Sequence, residues 1–318
     1  MGRALRDRLP RLTATAAAAL LGAAACKGYR APSFDKPMTL GGVAVPAAVL
    51  THGARAYELY CRACHGDHGD GKGPSASGLQ PPPRDFTLGE FKFAAVPAGT
   101  LPHDEDLVRI VRSGLHGTAM LAWDGVPEGD LQAIIPYLKT FSPRWQSETP
   151  GDRVEPTPDA WKDRDADGVA YGKKVYHGLA QCLTCHPSYA PREYVFRTSK
   201  ELTGNATTDF RDDMYGSQLK ESDYGVKLLP PDFTWSDLRS IRAGHELEDF
   251  YRVIASGVGG TAMPTWKGAL PEDAIWALVH YVRWLHELKG TAEPERMLRE
   301  NLAADARWKP PPVPPPAR

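Results

Sequence analysis

Apolar positions fall at helical spacing in two long stretches of the chain, and then in two more in the same order. Leu107, Ile110 and Val111 mark one helix face, and Leu131, Ile134, Ile135 and Leu138 mark the next. Leu247, Phe250, Tyr251 and Ile254 repeat the first, and Ile275, Leu278, Val279 and Val282 repeat the second. The later helix of each pair starts behind Pro127-Glu128 or Pro271-Glu272, which suits a first helical turn. A further helix should precede each pair, with Gly53 and Tyr57, then Gly172 and Tyr176, on one face. No run alternates with the period of a strand, and the connections are long and rich in Gly and Pro. The expected fold class is all-α.

The repeat is more than periodicity. Cys61-x-x-Cys64-His65, Asp85-Phe86-Thr87, Gly117-Thr118-Ala119-Met120 and Trp123 return as Cys182-x-x-Cys185-His186, Asp232-Phe233-Thr234, Gly260-Thr261-Ala262-Met263 and Trp266. His to Met spans 55 residues in the first copy and 77 in the second, the excess lying in a polar, loop-like stretch from Arg192 to Tyr224. Two domains are expected, at 51–148 and 168–290, with an acidic, Pro-containing linker at 149–167, a tether at 26–50 and a Pro-rich tail at 291–318. Such a tail more often acts as a stiff spacer than as a recognition ligand.

Composition adds a compartment. Arg3, Arg6, Arg8 and Arg11 precede an apolar stretch from Leu12 to Ala25 and the small residues Gly22 to Ala25, the order of a signal peptide. At 14 residues the stretch is short for a bilayer span. Cys26 follows directly, and Leu21 to Cys26 resembles a bacterial lipoprotein box, although Ala23 stands where Leu is usual. Cys26 is therefore the expected lipidation site, with cleavage that leaves a free thiol as the alternative. An exported, periplasmic protein held to a membrane by lipid follows. The formal net charge of −1, about −4 without residues 1–25, offers no basic field for nucleic acid.

The other four cysteines carry the chemistry. In Cys-x-x-Cys-His the two thiols can add across the vinyl groups of a haem, and the adjacent His can ligate its iron. A redox dithiol would sit on a βαβ pattern, which is missing, and a zinc site would have to join pairs more than a hundred residues apart. Two covalently bound haem c groups are expected, on Cys61, Cys64 and His65 and on Cys182, Cys185 and His186. A group filling the middle of each half also explains how so few helices can close a core. Of the six Met, Met120 and Met263 alone follow the same Gly-Thr-Ala at the same place in each copy. Thioether sulfur suits haem iron, whereas the ordinary role of Met is to fill core space. Met263 precedes Pro264; Met120 precedes Leu121 and has His116 as a rival ligand four residues earlier.

Both halves resemble class I c-type cytochrome domains, through the Gly-x-x-x-Tyr helix, the run from Cys61 to Pro74, the Gly-Thr-Ala-Met segment and the helix holding Tyr137 or Tyr281. The resemblance implies His65 and His186 as proximal ligands, with distal Met supplied from a loop. A haem with both axial positions filled transfers electrons without binding substrate. The expected function is a two-haem carrier between a reductase and an oxidase or other cytochrome, or the cytochrome c subunit of a membrane respiratory complex. The alternative is a di-haem enzyme, peroxidase-like or thiosulfate-oxidising, with one accessible haem. A binding module that happens to hold haem ranks last.

Weaker signals complete the reading. Trp123 and Trp266 should pack on a haem edge or serve as plain core aromatics. Asp-Phe-Thr should wrap the haem rim or form a mere turn. Asp163, Asp165 and Asp167 imitate the start of a calcium loop, but Lys174 holds the twelfth position. His68, His177 and His245 are expected to face solvent.

Overall fold

The computed structural model describes residues 29–309. The signal segment, Cys26 and the prolines beyond Lys309 lie outside the described residues. Chain contacts divide the molecule into Met1–Ala31 and Pro32–Arg318, and every element named below belongs to the second unit.

That unit opens with a short antiparallel hairpin, β1 (Met38–Leu40) and β2 (Val43–Val45). The helices α1 (Ala47–Tyr60), α2 (Arg62–His65), α3 (Asp104–Ser113), α4 (Glu128–Lys139) and α5 (Arg144–Ser147) complete the first half. The second half holds α6 (Asp165–Lys174), α7 (Arg192–Thr203), α8 (Glu246–Ser256), α9 (Glu272–Glu287) and α10 (Glu293–Asp305). A five-residue π-helical turn, Val175–Leu179, runs on from α6, and a short 3-10 turn holds Cys182–Thr184.

The helices expected from apolar spacing are present in both halves. In each, the helix before the cysteines crosses the last long helix at a glycine. A Cβ on Gly53 would run into the Ala133 carbonyl and lie 2.7 Å from Tyr137 Cβ. A Cβ on Gly172 would meet the Ala277 carbonyl and lie 2.7 Å from Tyr281 Cβ. The crossings bury Leu50, Ala54, Tyr57, Ile134 and Tyr137 in one half and Val175, Tyr176, Leu278, Val279 and Tyr281 in the other. At about 1.5–3 kcal/mol per large apolar side chain, each crossing is a major stabilising contact of its half.

Three local expectations are corrected. The segment given to the tether is folded from Pro32, because Leu40 is fully buried and Gly41 N–H donates to Trp145 C=O at 2.6 Å. The loop-like insertion begins with helix α7, whose inner face of Val195, Thr198 and Ser199 has too few large apolar residues to show as a stripe. His177 is wholly buried: Nδ1 pairs with the Lys173 carbonyl at 2.7 Å and Nε2 accepts Tyr189 N–H at 3.2 Å. Burial drives its pKa down to about 3. The calcium loop that Lys174 argued against is not what Asp165 forms: it opens helix α6, pairing with His280 Nδ1 at 2.5 Å, while Asp159 meets Nε2 at 2.9 Å.

The linker is strapped down at both ends. Val154 N–H donates to Ala95 C=O at 2.9 Å, and Trp276 Nε1–H donates to Thr157 C=O at 3.0 Å. The halves also share a direct seam. Ala98 N–H donates to Ser256 C=O at 3.0 Å, and His116 N–H donates to Arg239 C=O at 2.9 Å.

Near the seam, helix α8 carries the buried carboxylate of Asp249, which accepts Arg242 N–H at 2.7 Å and pairs with the Arg242 and Arg252 guanidiniums. Burial pulls its pKa up, but these donors outweigh it and hold the carboxyl below the usual range. A depressed folded-state pKa gives stability that is present at neutral pH and lost as pH falls through that value, below about pH 4. Asp249→Asn is therefore expected to cost about 3 kcal/mol at pH 7. The deficit should shrink towards pH 3 when both proteins are compared by urea unfolding.

Candidate functional site

Each Cys-x-x-Cys-His closes the turn after the first helix of its half. Cys61 and Cys182 accept the N–H of His65 and His186 at 3.0 and 2.9 Å, which places both thiols and the imidazole on one short turn. No disulfide joins either pair. Burial pushes the Cys61 and Cys182 thiols up to about 12, so they are protonated at neutral pH, unlike the acidic thiols of exchange dithiols.

The imidazoles are oriented identically. His65 Nδ1 lies 3.1 Å from the Arg84 carbonyl, and His186 Nδ1 lies 2.9 Å from the Pro231 carbonyl. A carbonyl at Nδ1 fixes the proton there and leaves Nε2 as a free donor to a metal. Burial lowers both histidine pKa values, which also favours the neutral ligating form. Phe86 stacks on His65 with ring centroids 4.5 Å apart, and Phe233 stacks on His186 at 4.7 Å. The Asp-Phe-Thr segment thus holds the imidazole plane. Asp85 and Asp232 accept from the backbone and hydroxyl of Thr87 and Thr234, which fixes the turn that aims each Phe.

Tyr57 and Tyr176 finish the support. Their hydroxyls donate to the carbonyls of Gly66 and Pro187, the residues directly after each His, at 2.9 and 2.8 Å. The first helix is thereby tied to the histidine turn it precedes. This is why Gly53 and Gly172 must let the last helix approach so closely, since Tyr137 and Tyr281 rest edge-on against those two tyrosines at 5.4 and 5.5 Å.

The two methionine loops share the same hydrogen bonds around each Met. Leu115 N–H donates to Met120 C=O at 2.8 Å, and Val258 N–H donates to Met263 C=O at 3.2 Å. Thr118 Oγ1 accepts Met120 N–H at 3.1 Å and donates to Leu115 C=O at 2.8 Å. Thr261 Oγ1 does the same for Met263 and Val258, at 3.2 and 2.7 Å. Gly114 and Gly257 take φ of +67° and +75°, and a Cβ on either would strike the Met carbonyl. Leu121 in place of Pro264 leaves this geometry intact. His116 is exposed, with its backbone held by Arg239. Trp123 lies 37% exposed, edge-on to Tyr60 at 6.3 Å, while Trp266 is half-buried against the second core.

The residues present fit a covalently attached haem: protonated unpaired thiols, an imidazole with Nε2 left free, and a thioether on a rigid loop in each half. Periodicity missed the Arg84 and Pro231 carbonyls, because a loop residue far from its partner leaves no spacing signal. The repeated Asp-Phe-Thr was the available clue.

These features define a c-type cytochrome. The chain belongs to the family of cbb3-type cytochrome c oxidase subunit III, whose model matches residues 48–138 and 167–282. It is also similar to a chain of the reducing HAO-like protein complex of Kuenenia stuttgartiensis, at 31% identity and a TM-score of 0.58. That alignment covers 74% of this chain and 95% of the other. No curated protein matches. Covalent haem c and electron transfer come with the family. Among the described residues, no helix is long and apolar enough to cross a membrane.

Proposed function

We propose that the chain is a two-haem electron-transfer protein of the periplasm, with His65 and Met120 ligating one iron and His186 and Met263 the other. Cys61 with Cys64, and Cys182 with Cys185, would form the thioether attachments. The shared hydrogen bonds around Met120 and Met263 carry this reading, because an enzyme with one open haem should have altered one of the two sets. His116 points to solvent and supports Met120 against its rival. Haem bound in this way supplies reversible one-electron exchange at the iron. The chain's own residues hold each imidazole neutral at Nε2, brace its plane with Phe86 or Phe233, and present Met on a loop locked by Thr118 or Thr261.

Membership of an oxidase-subunit family and likeness to a chain from a redox complex both support work in contact with another redox protein. We place it between a reductase and an oxidase or further cytochrome, as a subunit of a membrane respiratory complex, with lipid on Cys26 after signal cleavage.

Replacing Met120 or Met263 by His tests the ligands. Each variant should lose about half of the Met-to-iron charge-transfer band of the oxidised protein, and the corresponding potential should fall, since Met raises it relative to His. A variant with an unchanged spectrum, or a high-spin haem in the unaltered protein, rules out the carrier and restores the enzyme reading.

A further inference from the structure

The two attachment turns close in different ways. In the first half, backbone N–H groups of the glycine-rich run after His65 cap the carbonyls of the turn. Gly66 donates to Arg62 at 2.9 Å, Gly71 to His65 at 3.0 Å and Gly73 to Cys64 at 3.1 Å. That run has no copy after His186, where the chain reads Pro187-Ser188-Tyr189-Ala190-Pro191. Proline has no N–H, so Pro187 cannot give the Leu183 carbonyl the bond that Gly66 gives Arg62. Carbonyls on a turn inside the protein then need donors from elsewhere.

The insertion of the second half supplies them. Arg211 Nη2 donates to the carbonyls of Leu183 at 3.0 Å, His186 at 3.4 Å and Gly216 at 2.9 Å. Gln218 N–H donates to Cys185 C=O at 2.9 Å, in the place of Gly73. The segment that carries these donors is itself fixed. Ser188 N–H donates to the carbonyl of the fully buried Met214 at 2.7 Å. The Tyr215 hydroxyl donates to Asp305 of helix α10, also at 2.7 Å.

Neutral amides thus cap the first turn and a guanidinium caps the second. Arg211 is half-buried, and its Nε is buried without a hydrogen-bond partner. Nη1 pairs with Asp213 at 3.0 Å, but that carboxylate is 69% exposed, so water and salt screen it. Much of the positive charge therefore stands against the turn uncancelled. Asp232 brings a negative charge to His186 from the other side, and Arg211 opposes it.

We propose that Arg211 is a positioning residue for the second haem: it closes the Cys182–His186 turn in place of the missing backbone donors, and its charge raises the reduction potential of the haem held there. The proposal rests on the two-haem reading above. A nearby positive charge favours the reduced iron, which carries one positive charge fewer, and does so most where burial excludes water. The length added to the second half then serves to bring that charge to the turn.

The test uses the full, haem-loaded chain. Haem per chain is counted first, and both midpoint potentials are then measured by spectroelectrochemical titration at fixed pH and low ionic strength. A chain with Cys182→Ala and Cys185→Ala, which keeps the first haem alone, assigns them. Arg211→Gln should lower the potential of the haem on His186 and leave the other unmoved. Arg211→Lys keeps the charge but not the fork of donors, so that potential should stay near its starting value even if the melting temperature falls. Asp213→Asn removes the anion paired with Nη1 and should raise the same potential. A purely structural Arg211 predicts otherwise: Gln and Lys act alike, and Asp213→Asn changes nothing. That outcome, or an equal shift at both haems, overturns the proposal and leaves the carrier standing. A count of one haem in the parent chain overturns both. Should Arg211→Gln fail to load its second haem, Asp213→Asn decides, because Asp213 is exposed and its side chain bonds no carbonyl of the turn.

Discussion

Replacing Cys182 and Cys185 together by Ala should yield a chain with one covalent haem in place of two, counted as the pyridine haemochrome or as the loss of one haem mass. The two cysteine turns share no residue, and each is braced within its own half, by Tyr57 on Gly66 and by Tyr176 on Pro187. The first half should therefore load normally. The reciprocal change at Cys61 and Cys64 should leave the other haem. The effect is all-or-none at each site, because the thioether bonds persist under denaturation whereas axial ligands do not. Two haems remaining after either double change would mean that the motif is not the attachment point.

The second large effect is on folding. Gly172→Ala should lower the melting temperature by about 10 °C, from a cost of about 3 kcal/mol or more. Ordinary overpacking is relieved when a side chain swings away. Here the added methyl would meet the Ala277 carbonyl inside helix α9, and that backbone is fixed by its own hydrogen bonds. The neighbouring Tyr281 is fully buried and has no room to yield. Gly129→Ala is the control: a Cβ there meets nothing, and in helix α4 it should be neutral or stabilising by up to about 1 kcal/mol. Equal melting temperatures for Gly172→Ala and the parent would show that the crossing is looser than the geometry requires.

What could be read from the sequence and what could not divide along a physical line. Cys-x-x-Cys-His and the apolar stripes of α3, α4, α8 and α9 are local, so spacing alone exposed them. The Gly and Tyr of the first helix were visible as a pair, but their reason was not, because it lies in a carbonyl of another helix. Helix α7 hid behind hydroxyl residues, and His177 looked polar although Lys173 and Tyr189 satisfy both its nitrogens. Phe86 and Phe233 were noticed as a repeat, yet stacking on a histidine some twenty or more residues away has no one-dimensional signature. The seam was the least legible part. Arg84 and Lys92 come from one loop of the first half and Tyr224 from the insertion in the second, so their contact leaves no local spacing signal.

The seam carries one more meaning. His116 meets Arg239 across it, and Gly259, the residue in His116's place in the second copy, lies against the Phe91 carbonyl in the stretch that corresponds to Arg239's own. Each copy offers the other the same two patches, exchanged. That is the arrangement of an isologous dimer, in which one surface recognises itself about a two-fold axis.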